Sequence, residues 1–259
     1  MTSGFETLFY EKRSGIAYVT LNRPHVLNAY NIRMRDELSE IIDAVRDDPE
    51  VAVVVFMGAG DRAFCAGADL SEFLTAPSPT AARRARWQRD TWGGLLSIVQ
   101  PLIGVLHGYV LGVGLEIALC CDLRIAADDS KFGFPEASLG IIPAGGGTQT
   151  LPRIVGRGRA LDMIITGRIV DAQEALAIGL VTRVVSAGHL RECADSIAMQ
   201  IASLSPDVAK CAKEAVRRGS HLSLADGLQL ETMLAERLMS LHTKPIRRSR
   251  ALDDASAGG

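Results

Sequence analysis

Neither sign of charge prevails in this 259-residue chain: 28 Lys and Arg stand against 30 Asp and Glu, a net charge of −2. That balance excludes broad electrostatic attraction to nucleic acid or to anionic lipid. Cysteine is scarce and unpatterned. Cys65, Cys120, Cys121, Cys193 and Cys211 are odd in number and show no CxxC spacing, so reduced, buried thiols are expected rather than disulfides or a metal site. No apolar run is both long and unbroken. Residues 104–121 approach the length of a membrane span, but Gly104, Gly108, Gly112, Gly114 and Glu116 interrupt them, and a buried segment of a soluble protein is the expectation. The opening residues, MTSGFETLFYEK, contain acids and no apolar core, unlike a secretory signal. A cytoplasmic location is therefore expected. Three nucleotide and hydrolase signatures are missing as well. GVGLEI has Ile117 where a dinucleotide fingerprint needs a third glycine, AGGGTQ lacks the P-loop lysine, and no G-x-S-x-G occurs.

What is present reads as strands alternating with helices. TLFYEKRSGIAYVTLN suggests two strands around an Arg13–Ser14–Gly15 turn. Asn31 should open a helix, since Met34, Leu38, Ile41, Ile42 and Val45 recur at helical spacing before Pro49. Val51–Met57 is a continuous apolar run, as expected of a strand covered on both faces. GAGDRAFCAGAD reads as a long loop, Pro77–Thr80 as a mobile connection, and 81–98 as a basic helix. Strands are expected near 102–106, 123–127 and 180–185, and helices over 187–203, 206–218 and 223–241. Such alternation implies parallel pairing through crossovers, with a separate helical layer at the C-terminus. No fixed-period repeat is visible.

Two glutamates stand out. Glu116 lies inside GYVLGVGLEIALCCDL, and Glu136 follows Pro135 in KFGFPEASLGIIPAGGGTQ. A buried carboxylate needs a partner, a proton or a purpose. One reading pairs each with an arginine such as Arg124 or Arg153. The other brings the two together across a strand and a turn, where a shared apolar hollow would push their pKa values apart and create an acid and a base. Gly112 and Gly114 open the helix that carries Glu116, leaving bare backbone at a helix N-terminus. The CAGAD loop offers a second such N–H. Two converging amides form an oxyanion hole, which suits chemistry beside a carbonyl.

The segments LNRPHVLNAYN, AFCAGADLSEF, HGYVLGVGLEIALCCDLRIAADDSKFGFPEASLGIIPAGGGTQTLPRIVG and ALAIGLVTRVV, in this order, resemble the crotonase superfamily of enoyl-CoA hydratases and isomerases. The likeness runs from about residue 5 to residue 218. It implies an α/β fold, a spiral of ββα units over residues 1–190, followed over 191–259 by a helical region that builds trimers or hexamers (dimers of trimers). It implies an acyl-CoA thioester as substrate, no permanently bound cofactor, and no metal; coenzyme A arrives as part of the substrate. The N–H groups of Ala68 and Val113 would hold the thioester oxygen. Glu116 would activate water for attack at Cβ, and Glu136 would protonate Cα. Val26, Ala29, Ala66, Ala68, Asp69, Leu70, Gly112 and Pro135 would line the substrate and CoA pocket.

The implied activity is enoyl-CoA hydration. A Δ3,Δ2-enoyl-CoA isomerase using one glutamate is the alternative, as is a specialised acyl-CoA dehydratase. The chain departs from the family's usual triple glycine at Val113, which should keep a negative φ because β-branched residues resist the left-handed region. Its side chain is expected to narrow the acyl pocket. The basic cluster ARRARWQRD, residues 82–90, has three readings. It is a solvated helix face, or it places Arg83, Arg84 or Arg86 on the CoA phosphates, or it marks an RNA-binding relative of the family. The last residues, ASAGG, read as frayed.

Overall fold

A computed structural model describes residues 4–73 and 89–241 of the chain. Pro77–Thr80, the basic stretch with Arg83, Arg84 and Arg86, and the ASAGG tail lie outside the described residues. Strands β1 (Leu8–Arg13) and β2 (Ile16–Leu21) pair antiparallel, and the turn between them holds Ser14 and Gly15 at φ 50° and 75°. Helix α1 (Ile32–Asp47) begins where expected. Asn31 is its N-cap, accepting the Met34 N–H at 2.9 Å and so satisfying a donor that no helical carbonyl can reach. On its buried face Glu37 accepts the N–H groups of Glu6 and Thr7, the Thr7 hydroxyl and the Arg33 guanidinium. Burial alone would raise its pKa; these hydrogen bonds outweigh it and hold the carboxyl below its usual value.

The chain continues through β3 (Val53–Gly58), β4 (Ala63–Cys65), α2 (Leu70–Phe73) and α3 (Thr91–Ser97). Next come β5 (Leu102–Leu106), β6 (Tyr109–Leu111), α4 (Val113–Cys120), β7 (Leu123–Ala127) and β8 (Lys131–Gly133). They are followed by α5 (Gly147–Val155), α6 (Arg157–Thr166), β9 (Val170–Asp171), α7 (Ala172–Ala177), β10 (Arg183–Val185) and α8 (Leu190–Ala202). The described residues end with α9 (Pro206–Gly219) and α10 (Leu224–Leu241).

Two sheets organise these elements. One has the order β1-β2-β3-β5-β7-β10 and the other β4-β6-β8-β9. From β3 onward each ββ pair gives one strand to each sheet before the chain turns back through helical structure, which is the expected ββα spiral. The centre of the larger sheet is covered on both faces, because β3 and β5 are apolar along their whole length. Val54, Phe56, Leu102 and Ala126 enter the main core, while Val53, Val55, Ile103 and Ile125 point the other way, onto Ala194, Ile197 and Ala198 of α8. Thus α8, which lies beyond the expected boundary at residue 190, packs on this sheet. By contacts the chain forms two units, Met1–Pro206 and Asp207–Gly259. Within the second unit Cys211, Leu230 and Leu234 bury one another between α9 and α10.

The smaller sheet differs from expectation. Residues 58–69 are not one long loop, because Ala63–Cys65 form the buried strand β4. Strands of two or three residues carry too few positions for a periodic signal. This sheet nonetheless positions the site: β4, β6 and β8 run parallel, so the segments that leave them, 66–70, 112–116 and 134–136, emerge along one edge. Carboxyl ends of parallel strands are where α/β folds hold ligands.

Replacing Asn31 with Ala should lower unfolding free energy by about 1 kcal/mol. Denaturant titration should show a shifted midpoint with an unchanged slope; an unshifted midpoint would contradict the cap.

Candidate active site

Glu116 lies in the first turn of α4 and is 2% exposed. Its Oε1 accepts the N–H groups of Gly145 at 2.7 Å and Gly147 at 2.9 Å. Gly146 between them holds φ 106°, so residues 145–147 wrap around the carboxylate. This glycine run lacks the P-loop lysine, yet it forms an anion cradle for an internal carboxylate. The helix start adds a favourable dipole. Arg124 and Arg153, the arginines considered as partners, are engaged elsewhere. Arg124 donates to the carbonyls of Leu180 and Cys121, closing the C-terminal end of α4, and Arg153 donates to the Gln149 carbonyl. Close approach requires the glycines here. A Cβ on Gly114 would run into the Cys65 carbonyl, and one on Gly145 would sit 2.5 Å from Glu116 Oε2.

Glu136 follows β8 in a 3-10 turn, Pro135–Leu139. Its Oε1 lies 2.7 Å from where a Cβ on Gly112 would be. Its Oε2 is buried with no hydrogen-bond partner among the described residues. Burial, and then the negative charge of Glu116, push its pKa up to about 7. Gly112 joins the two acids. Its carbonyl accepts the Glu116 N–H at 2.9 Å, its N–H donates to Gly133 at 3.0 Å, and its α-carbon faces Glu136. Two strands separate the glutamates in sequence, β7 and β8, one in each sheet, rather than one strand and a turn.

Ala68 and Val113, the two residues expected to offer amide donors, follow the adjacent strands β4 and β6. Tyr30 forms a parallel bridge with Ala68: the Tyr30 N–H donates to Gly67 at 2.9 Å and the Asp69 N–H to Tyr30 at 2.8 Å. In that pattern the N–H of Ala68 itself points away from the bridge. Val113 is the first residue of α4, so no carbonyl of its own helix can take its N–H. Gly112, the N-cap, takes the positive φ of 50°. Val113 does not: among the described residues only Ser14, Leu27 and Asn28 do so without being glycine. The Val113 side chain is partly buried against the main core.

Sequence reasoning missed the residues that lock the two pocket loops together. Leu27 and Asn28 hold φ 54° and 55°, strain that persists only when the surroundings fix it. Asn28 is fully buried; its amide donates to the carbonyls of Ala59 and Ala63, and its oxygen accepts the Arg23 N–H. The Arg23 guanidinium reaches Asp69 at 2.8 Å and the Ala29 carbonyl at 2.6 Å, and the Ala66 N–H donates to Leu27. Residues 26–30 are thereby zipped to 66–69. Asp69 also accepts the Ser71 hydroxyl, which with Arg23 holds its carboxyl below the usual range. Its side chain is thus engaged within the protein. Val26 and Leu70 are exposed, Ala29, Ala66 and Pro135 are half-buried, and Gly112 is buried. The signal available in the sequence was LNRPHVLNAYN, where asparagine is the side chain that best tolerates a left-handed turn. Cys65, beside Gly114, is fully buried, and burial pushes its thiol up to about 12.

Among the described residues no group of three or more His, Cys, Asp or Glu is placed to hold a metal ion. No described helix is long and apolar enough to cross a membrane.

Known proteins resemble this chain over most of its length. The family model described as enoyl-CoA hydratase/isomerase matches residues 11–250. The chain is 40% identical over 230 residues to a protein named probable enoyl-CoA hydratase in Mycobacterium bovis, covering 89% of this chain and 88% of that one. It is 39% identical over 222 residues to the short-chain-enoyl-CoA hydratase of Clostridium acetobutylicum, covering 86% and 85%. The crystal structure of an enoyl-CoA hydratase from Bacillus anthracis superposes with a TM-score of 0.87 at 38% identity, covering 92% of each chain.

The two causes of the Glu136 shift are separable. Glu116→Gln should lower the Glu136 pKa from about 7 while leaving it above the ordinary carboxylate value, since burial is the larger cause. Carbon-detected NMR titration of the side-chain carboxyl measures this; an unmoved pKa would mean that the acids do not share a hollow.

Proposed function

This chain belongs to the enoyl-CoA hydratase/isomerase family and has the activity of an enoyl-CoA hydratase, a hydro-lyase, and we propose that Glu116 and Glu136 together carry it out. The observation behind this assignment is the contrast between the two acids. Glu116 is held as an acceptor by two amides, whereas Glu136 is lifted to a pKa of about 7 with one oxygen buried and unpartnered among the described residues. One environment suits a base and the other a proton donor.

In this reading a 2-enoyl thioester lies with its carbonyl oxygen at the N–H groups of Ala68 and Val113. A water gives its proton to Glu116 as its oxygen bonds to Cβ. The C=C electron pair moves toward the thioester oxygen, where the two amides stabilise the developing enolate. Glu136 delivers its proton to Cα as the carbonyl re-forms, so water has added syn across the double bond. Exchange with solvent returns a proton to Glu136 and removes one from Glu116. The CoA portion runs along Val26, Ala29, Ala66, Asp69, Leu70 and Pro135, and no resident cofactor is required. Assembly into a trimer or hexamer and a cytoplasmic location belong to the same proposal. The apolar side chains that α9 and α10 expose, among them Val216, Leu224 and Met239, support the former.

Hydration is followed by the loss of conjugated-thioester absorbance. Glu116→Gln and Glu136→Gln should each cut kcat/KM by about 10²–10⁴-fold. Retention of most turnover by Glu116→Gln would instead indicate an isomerase working with one glutamate. A second expectation concerns pH. Glu136 must begin protonated, so kcat/KM should fall as pH rises through about 7, and the residual activity of Glu136→Gln should lack that limb.

A further inference from the structure

Trp92 sits on α3, whose N-cap Asp90 accepts the Gly93 N–H at 2.8 Å. Its mount is fixed from behind. Thr91 and Leu95 are buried, and Gly94 faces α1, where a Cβ would be in van der Waals contact with Ile42 at 3.4 Å. In front, the indole meets the site. Its Cζ2 lies 2.6 Å from where a Cβ on Gly145 would be, and the same point is 2.5 Å from Glu116 Oε2. The indole edge therefore flanks the carboxyl of Glu116 across the α-carbon of Gly145. On its other side the indole faces the Tyr30 ring, with centroids 6.0 Å apart and planes tilted by 33°. Tyr30 is the residue bridged to Ala68. The aromatic pair thus runs from the proposed donor to the thioester oxygen to the proposed base at Cβ.

We propose that Trp92 is a specificity-determining residue that limits the size of the group carried on Cβ, so that short or flat, conjugated 2-enoyl thioesters are the preferred substrates. The inference rests on the hydratase reading above. An enoyl thioester is planar through its conjugated atoms, and a planar group packs edge-to-face or offset against an aromatic ring at little cost. A long saturated tail leaving Cβ then meets the indole, which is carried by α3, a helix packed on α1. The fit of a single methylene in such a pocket is worth tenfold or more in kcat/KM. Trp92 is only half-buried, which leaves part of its ring surface available to a substrate.

The test measures hydration of crotonyl-, 2-octenoyl- and cinnamoyl-CoA by the full-length wild type and by Trp92→Ala, Trp92→Phe and Trp92→Leu. Wild type should prefer crotonyl- to octenoyl-CoA. Trp92→Ala should raise the octenoyl-to-crotonyl ratio of kcat/KM by about tenfold or more, and Trp92→Phe, which keeps a flat wall, should stay nearest to the wild-type profile. If Trp92→Ala fails to fold, the Leu variant is read by the same ratio. A ratio that moves less than about twofold, with activity lost equally on all three thioesters, would assign Trp92 to packing alone. A wild type that prefers octenoyl-CoA overturns this inference and leaves the hydratase reading standing. A wild type that hydrates none of the three overturns both.

Discussion

The grip of two backbone amides on one oxygen of Glu116 is the constraint on which the site depends. A carboxyl this deeply buried is costly unless it is hydrogen-bonded, and the Gly145 and Gly147 N–H groups supply those bonds from the turn that starts α5. The bonds fix the direction of the side chain as well as its burial. They also explain why the turn is built of glycine, since a Cβ at position 145 would press on the other carboxyl oxygen and on Trp92. With Glu116 held in this way, its charge becomes part of the surroundings of Glu136, whose pKa it helps to raise. Two chemically identical side chains are made unlike by what surrounds each, and acid–base chemistry needs that difference.

The double-sheet spiral brings these pieces to one place. From β3 onward each ββ pair adds a strand to the large sheet, whose central strands are buried on both faces, and a short strand to the small one. Parallel pairing in the small sheet then sets three successive loops along one edge. The first carries Ala68, the second Gly112, Val113 and Glu116, and the third Glu136. Rigidity comes from elsewhere. Asn28, strained into a left-handed conformation and bonded on every side, and Arg23, bridging Asp69 and Ala29, hold the first loop in register with residues 26–30. The N–H of Ala68, the proposed donor to the thioester oxygen, is thereby held in place by side chains outside its own loop.

Local chemistry alone determined a good part of this molecule. The Ser14–Gly15 turn, the cap at Asn31, the apolar stripe of α1 and the buried strands near 53–57, 102–106 and 123–127 follow from propensity, periodicity and side-chain capping within a few residues. So does the anomaly of Glu116, because an acid in an apolar run is conspicuous whatever the fold. Collinear motifs extended this to the family and to the pairing of Glu116 with Glu136. Tertiary structure decided the rest. The partners of Glu116 are main-chain N–H groups 29 and 31 residues away, and every residue except proline carries such a group, so no side-chain pattern marks them. Asp69 meets Arg23 across 46 positions, and the raised pKa of Glu136 depends on how much water the fold removes. The short strands of the second sheet exist because neighbouring strands pair with them. Burial, pairing and electrostatic neighbours are properties of the folded chain, and they appear only once distant segments are brought together.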